Sequence, residues 1–178
     1  MDKLKSKGCA SGLVLAFVFV LCSSVAQAQG YVSRVRNMET DRAYRQLLDA
    51  HIFNLGGVGF VLSITPEEKA FQVLLRSANS VALFERLISE GNPEGQLFAL
   101  YGLYLEKPRL FENEVERFKR EAGPGERWEG MIFIEKGKIR TGVGCILFRQ
   151  ERQTIISKIA NGEFDKAYQA SSLRLVDR

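Results

Sequence analysis

Few residues of this chain have side chains that could carry nucleophilic catalysis. Cys145 is the only cysteine outside the N-terminal segment, and His51 is the only histidine. A thiolate nucleophile needs a base within hydrogen-bond reach and a third group that orients that base. Asp49 lies two residues before His51, so it would point to another side of a helix. Cys145 and His51 are therefore candidates for a thiol-dependent enzyme, but no third residue completes the site.

Metal and cofactor sites lack the residues that they would need. One histidine and one cysteine cannot supply the three or four protein ligands of a zinc site, and no loop carries the spaced Asp and Asn residues of a calcium site. The stretch GGVGFVL, Gly56 to Leu62, lacks the third glycine of a dinucleotide fingerprint and the Gly-Lys-Ser/Thr of a P-loop. We therefore expect a flexible turn at these glycines, no cofactor and no metal.

The carboxylates do not form a recognisable catalytic pair. Glu67 and Glu68 follow Thr65-Pro66, where the partial positive charge of a helix N-terminus accounts for acidic residues. The chain also has no Gly-x-Ser-x-Gly element of the kind that presents a nucleophilic serine. These observations favour a protein without catalytic activity.

The first 28 residues are typical of an export signal. Three lysines precede an uninterrupted apolar run from Leu13 to Leu21, and Ala26-Gln27-Ala28 forms a small-x-small cleavage site. The run has nine residues, whereas a membrane-spanning helix needs about 20. We expect cleavage near Ala28, a periplasmic or extracellular location and no stable membrane span. The alternatives are an uncleaved anchor and a lipoprotein acylated at Cys22.

The mature chain is expected to have a small net charge and one thiol. Cleavage would leave 150 residues, the size of one compact domain, and would lower the formal charge from +4 to +2 by removing three lysines and one aspartate. No Lys/Arg cluster of the kind that binds nucleic acid remains. Cys145 could then form no internal disulfide. Its apolar neighbours predict that the thiol is buried; they are Val143, Ile146, Leu147 and Phe148.

Helix signals fill the first part of the mature chain after a loose segment, 29–40. Apolar spacing predicts a helix over Asp41 to Phe53. Thr65-Pro66 predicts a second helix, running to about Ser77, in which the Glu68 side chain reaches back to the backbone N–H of the cap. A third helix would end at Gly91, a natural left-handed C-cap.

Two more helices are predicted after this glycine. Asn92-Pro93 starts one, and Lys107-Pro108 ends it and starts another that reaches about Ala122. The connections from Thr65 to Ala122 are short, so successive helices should pack antiparallel.

The remainder is predicted to contain a β-hairpin and a last helix. Residues 130–148 favour two strands around a turn at Glu135 to Lys138. The last helix should be broken near Asn161-Gly162, and residues 171–178 form a polar tail. The predicted fold class is mainly α (α+β), with residues 41–170 forming a single domain of antiparallel helix pairs around a central apolar helix.

That central helix is the run from Leu97 to Leu105, which holds no charge and no amide. A helix flanked on several sides must be apolar on several sides, so the run is predicted to be the middle of the core. The loss of helix propensity at Gly102 would make sense where another backbone passes close. In the alternative, Tyr101 and Tyr104 line a ligand groove. Together with Trp128, they form the possible interaction surface.

The stretch SANSVALFERLISEGNPEGQLFALYGLYLEKP, around residues 78–108, resembles a HEAT-type helical repeat. It has a helix, a short turn with Asn-Pro, and a helix rich in Ala and Leu with a late Gly; Gln96 stands in place of the usual Arg after the turn. As a whole, the chain is similar to small exported bacterial proteins of unknown function that join such helices to a Gly-Cys strand, here Gly144-Cys145, and a last helix. This resemblance implies no activity.

The sequence therefore predicts an exported, non-catalytic envelope protein that acts as a protein-interaction or structural module with an unknown protein partner. Two alternatives stay open. One is a periplasmic carrier of an apolar ligand that uses Leu97 to Leu105 as a cavity wall, and the other is a thiol-dependent enzyme using Cys145.

Overall fold

The computed structural model describes residues 35–57, 63–121, 138–143 and 146–176. The chain divides into two compact units, Met1–Glu39 and Thr40–Arg178. In the first unit the described residues, 35–39, are helical, so the prediction of a loose segment over 29–40 is wrong for them. The architecture below is that of the second unit.

The fold is mainly helical with one two-stranded antiparallel sheet, which confirms the predicted class. Within this unit, helix α1 occupies residues 40–48. The remaining elements are α2 (Pro66–Leu75), α3 (Ser80–Glu90), α4 (Pro93–Glu106), α5 (Pro108–Glu121), β1 (Lys138–Val143), β2 (Ile146–Glu151), α6 (Arg152–Ala160) and α7 (Asp165–Val176).

Local capping explains where the inner helices begin. The Thr65 hydroxyl accepts a hydrogen bond from the Glu68 N–H at 3.1 Å, and the Asn92 side chain accepts one from the Gly95 N–H at 2.9 Å. Each cap is followed by a proline, whose missing N–H costs nothing in the first turn. Both predicted starts are confirmed.

The predicted backbone at Gly91 is wrong. Gly91 is the C-cap of α3, but its φ of −77° and ψ of 158° are extended rather than left-handed. A Cβ at this position would lie 2.6 Å from the Leu87 carbonyl oxygen. Steric crowding against the preceding turn therefore explains the glycine.

Helices α3 and α4 run antiparallel, as two hydrogen bonds between their opposite ends show. The Ser80 hydroxyl at the start of α3 donates to Glu106 at the end of α4 at 2.6 Å, and the Gln96 amide near the start of α4 donates to the Ile88 carbonyl at 3.0 Å. Gly102 lies at this interface, where a Cβ would stand 2.5 Å from Cζ of Phe84. The close neighbour is thus an aromatic ring and not a backbone, contrary to the expectation.

Helix α4 is the centre of the core. Every residue from Leu97 to Leu103 is buried, while Tyr104 is half-buried and Leu105 is exposed. The aromatic rings of this helix and of its neighbours form one connected set of contacts: Phe53, Phe71, Phe84, Phe98, Tyr101, Tyr104, Phe111, Phe164 and Tyr168. The core prediction for this run is confirmed for its first seven residues.

The hairpin is displaced from its predicted place. Residues Lys138 to Val143 pair with Ile146 to Glu151, so the connection is Gly144-Cys145 rather than Glu135 to Lys138. The predicted first strand, which precedes that turn, lies outside the described residues. The Phe53 N–H donates to the Arg140 carbonyl at 2.9 Å, and this contact extends the sheet by an isolated bridge.

Two predicted helix limits are also wrong. Helix α1 ends at residue 48 instead of Phe53, because the chain then turns so that Phe53 can pair with β1. Helix α7 continues to Val176, so most of the predicted tail is helical. The break between α6 and α7 falls at Asn161-Gly162 as expected, with Gly162 at a φ of +68°.

Candidate functional site

A buried carboxylate is the most unusual chemical group of the described chain. Glu68 lies on α2 with 0% of its surface exposed. Its Oε1 accepts hydrogen bonds from the Gly56 N–H at 3.0 Å and from the Ser171 hydroxyl, and its Oε2 accepts one from the Gly57 N–H at 3.1 Å. Three donors from two distant segments thus meet on one side chain. Burial of a carboxylate requires such bonds, because burying it without partners is costly.

The glycine-rich turn is therefore an anion-binding loop whose anion is supplied by the chain itself. Gly56 and Gly57 have φ values of 95° and 84°, which side chains rarely adopt. This geometry directs both N–H groups toward Glu68, and the rest of the predicted flexible turn, residues 58–62, lies outside the described residues. The expected reach of Glu68 to its own helix cap is replaced by these longer-range bonds.

Two further buried polar side chains belong to the segments that meet at this carboxylate. Gln72 lies one helical turn after Glu68, is buried, and has neither amide oxygen nor amide nitrogen hydrogen-bonded. The Nδ2 of Asn54, two residues before the glycine pair, is likewise buried without a partner. Helix α7 lies on the other side, and its Ala167 side chain packs closely against Gly56. A Cβ on Gly56 would lie 2.7 Å from the Cβ of Ala167.

A second carboxylate holds the start of α7. Asp165 accepts hydrogen bonds from the Tyr101 hydroxyl at 3.2 Å and from the Tyr104 hydroxyl at 3.1 Å. Burial, followed by the negative charge of Asp165, raises the pKa of Tyr101. Burial and the bond to Asp165 also raise the pKa of Tyr104. Both phenols therefore remain protonated donors at neutral pH, so their chemistry holds the fold together.

Of the residues proposed from sequence, the structure describes Tyr101, Tyr104 and His51. Tyr101 is 0% exposed, so it offers no surface to a partner, and Tyr104 is half-buried beside it. The two rings stack with their centroids 5.8 Å apart. His51 is exposed in the turn after α1. Cys145 and Trp128 lie outside the described residues, so the thiol–imidazole pair and the tryptophan surface stay predictions.

The premise for a buried Cys145 does not hold for its neighbours. Ile146 and Leu147 are 68% and 62% exposed. They lie at the end of the hairpin, beyond the part that packs on the core through Ile139 and Thr141, which are both buried. Apolar neighbours in the sequence do not predict burial here, because residues at the end of a hairpin can be exposed to solvent.

Two arginines stand behind this apolar end. Arg140 and Arg149 are directly opposite one another in the β1–β2 register, and both are exposed. Directly paired residues point to the same face of a sheet, with Cβ atoms about 4.5–5.5 Å apart. The sequence prediction missed this pair, because the arginines become neighbours only once the register is known.

Among the described ranges, no group of three or more His, Cys, Asp or Glu side chains could hold a metal ion. Within those same ranges, none of the helices has both the length and the apolar character needed to cross a bilayer.

Comparison with known proteins gives no relative. No protein-family model, curated protein or solved structure matches the chain. The function must therefore be argued from the arrangement of side chains alone.

Proposed function

We propose that this protein is an exported, non-catalytic interaction module of the cell envelope, and that the β1–β2 hairpin is its contact element. One observation carries the proposal. Ile146 and Leu147 are the only sequence neighbours among the exposed large hydrophobic residues of the described ranges. Exposed apolar residues that lie together at one end of a hairpin favour a binding role, whereas single scattered ones are ordinary.

The buried polar clusters support a non-catalytic role. A catalytic carboxylate must reach a substrate, but the Glu68 oxygens are bonded to Gly56, Gly57 and Ser171 and have no exposed surface. Asp165 is half-buried and accepts hydrogen bonds from two tyrosine hydroxyls. Both groups stabilise the packing of α7 on the core.

The carrier alternative finds less support in the packing of α4. That function needs Leu97 to Leu105 to line a cavity, yet Leu97, Leu100 and Leu103 are each 0% exposed and belong to the closely packed core. The side of α4 that faces α3 is filled by the Phe84 ring against Gly102.

Site-specific photo-crosslinking in cells that express the protein tests the proposal. A photoreactive residue at Leu147 should give defined adducts in the envelope fraction. The same residue at Leu173, which is 68% exposed on α7, is the matched control and should give none. Equal labelling at both positions, or no adduct at Leu147, would remove the hairpin from its proposed role.

A further inference from the structure

The hairpin has two chemical zones along its length. At the end of the hairpin, Val143 pairs with Ile146, and the next pair is Gly142–Leu147. The pair Arg140–Arg149 lies two residues further from the end than Gly142–Leu147. Two residues of strand span about 7 Å. Leu147 and the arginine pair are therefore about 7 Å apart along the strands. Leu147 lies on the same face of the hairpin as the two arginines.

The arginine pair is unfavourable for the hairpin by itself. Like charges directly opposite one another destabilise a pair of strands. Glu94 lies near this pair, since its Oε1 accepts a hydrogen bond from the Arg140 N–H at 3.3 Å, but both arginines are exposed and on one face of the hairpin. Lys138 and Glu151, which pair two residues further from the end of the hairpin, have opposite charges. An anionic partner at the end of the hairpin would offset the repulsion, because guanidinium groups bind phosphate oxygens through paired hydrogen bonds.

The apolar end favours a lipid surface over a groove on a protein. Successive residues of a strand point to opposite faces, so Ile146 and Leu147 lie on different faces, yet both are more than half exposed. A shallow groove buries one face of a hairpin, whereas immersion in a bilayer interface buries both. Interfacial segments enter about 5–10 Å into the boundary between headgroups and acyl chains, and the 7 Å spacing would then leave the arginines at the phosphates.

We infer that the β1–β2 hairpin docks on an anionic membrane surface, with Ile146 and Leu147 at the acyl boundary and Arg140 and Arg149 on lipid phosphates. This inference rests on the hairpin being the contact element proposed above, and it names the partner. The inner face of β1 holds the hairpin in place, since Ile139 and Thr141 are buried in the core. The rest of the domain would therefore stay at the membrane surface.

Vesicle co-sedimentation tests the inference. The protein should bind vesicles that contain phosphatidylglycerol and not vesicles of phosphatidylcholine alone, and binding should weaken as salt rises because salt screens exposed charges. The double variant Ile146→Ser/Leu147→Ser should lose about ten-fold or more in affinity, given the loss of two buried side chains. The double variant Arg140→Gln/Arg149→Gln should lose about five-fold in affinity per arginine on the anionic vesicles.

Matched control variants distinguish binding by the hairpin from general effects of surface charge and hydrophobicity. Leu173→Ser removes an equally exposed apolar residue, and Arg42→Gln/Arg45→Gln removes two exposed arginines from α1. Both should retain parental binding. Because all these side chains are exposed, thermal unfolding should show that each variant is folded, and Arg140→Gln/Arg149→Gln should be at least as stable as the parent since it removes the repulsion between the two arginines.

Several results would overturn the inference. They are no binding to anionic vesicles, equal binding to neutral ones, or a loss in the α1 arginine variant as large as that in the hairpin variant. If Leu147 forms protein adducts in the envelope while vesicles are not bound, the partner is a protein: the proposed function then stands and the lipid partner fails. If Leu147 forms no adducts of either kind, the proposed function itself fails.

Discussion

The substitution Glu68→Gln tests whether the buried carboxylate organises the fold. Glutamine has the same shape, but it offers one oxygen and one NH2 group where the carboxylate offers two oxygens. The two oxygens of Glu68 accept from Gly56 and Ser171 on one side and from Gly57 on the other. In the better orientation the amide oxygen keeps the first two donors, and the NH2 group then faces the Gly57 N–H.

The magnitude follows from the two donors left unpaired. Each buried polar group without a partner costs about 1–3 kcal/mol. The lower desolvation cost of an amide relative to a carboxylate offsets part of this, so we expect the free energy of unfolding to fall by about 2–3 kcal/mol. For a domain of this size that corresponds to a melting temperature lower by about 8 °C.

Urea denaturation of the parent, Glu68→Gln and a control variant measures the difference. Glu67→Gln removes the same charge from the same first turn of α2, but Glu67 takes no part in the bonds to Gly56, Gly57 and Ser171. Glu67 is also buried, with 9% of its surface exposed, but Glu67→Gln leaves these three bonds intact and should therefore lower the free energy of unfolding by clearly less than Glu68→Gln. If the two variants are equally stable, Glu68 contributes only through the helix N-terminus, and the argument for a carboxylate-filled loop is refuted.

Three further outcomes are expected from the core, a cap and a tyrosine. Gly102→Ala should lower stability by about 1–2 kcal/mol despite better helix propensity, because the new Cβ meets the Phe84 ring at 2.5 Å; adding Phe84→Leu should recover part of the loss, and full additivity in urea titrations would contradict the contact. Asn92→Ala should cost about 1–2 kcal/mol, since Asn92 caps α4 and also donates to the Ala50 carbonyl at 2.7 Å. Asn79→Ala should cost much less in the same assay, because the Asn79 side chain makes no cap bond. Burial and a hydrogen bond to a glutamate raise the pKa of Tyr44 to about 12, above the value of about 10 for an unfolded chain. The stability due to its neutral phenol is therefore present below about pH 10 and is lost as the pH rises to about 12. The parent should lose more stability over that window than Tyr44→Phe, and equal losses would refute the assignment.

Several elements could be read from the sequence because their causes are local. Thr65-Pro66 and Asn92-Pro93 set helix starts through bonds that span three residues. The charge-free run at Leu97 to Leu103 required burial on every side, and the structure buries it. The same local logic located the break at Asn161-Gly162 between α6 and α7.

The hairpin shows where this logic stops. Short apolar runs favour strands but do not fix their partner, so the predicted turn fell at Glu135 to Lys138 while the pairing places the connection at Gly144-Cys145. A shift of register changes which side chains share a face. The juxtaposition of Arg140 and Arg149, and the exposure of the hairpin end, were therefore not available from the sequence.

The buried carboxylate is the clearest division between the two levels. The amino-acid sequence by itself determined an α-helix beginning at Thr65 with a glutamate in its first turn, because a helix N-terminus leaves N–H groups unpaired. Only the tertiary structure decided that Glu68 bonds to Gly56, Gly57 and Ser171, the last of these 103 residues away. Likewise Tyr101 and Tyr104 were recognised as neighbours on one helix, while their common acceptor Asp165 lies 64 and 61 residues further along. Hydrogen bonds over three residues depend on the local backbone, whereas those over such distances depend on how every intervening helix packs.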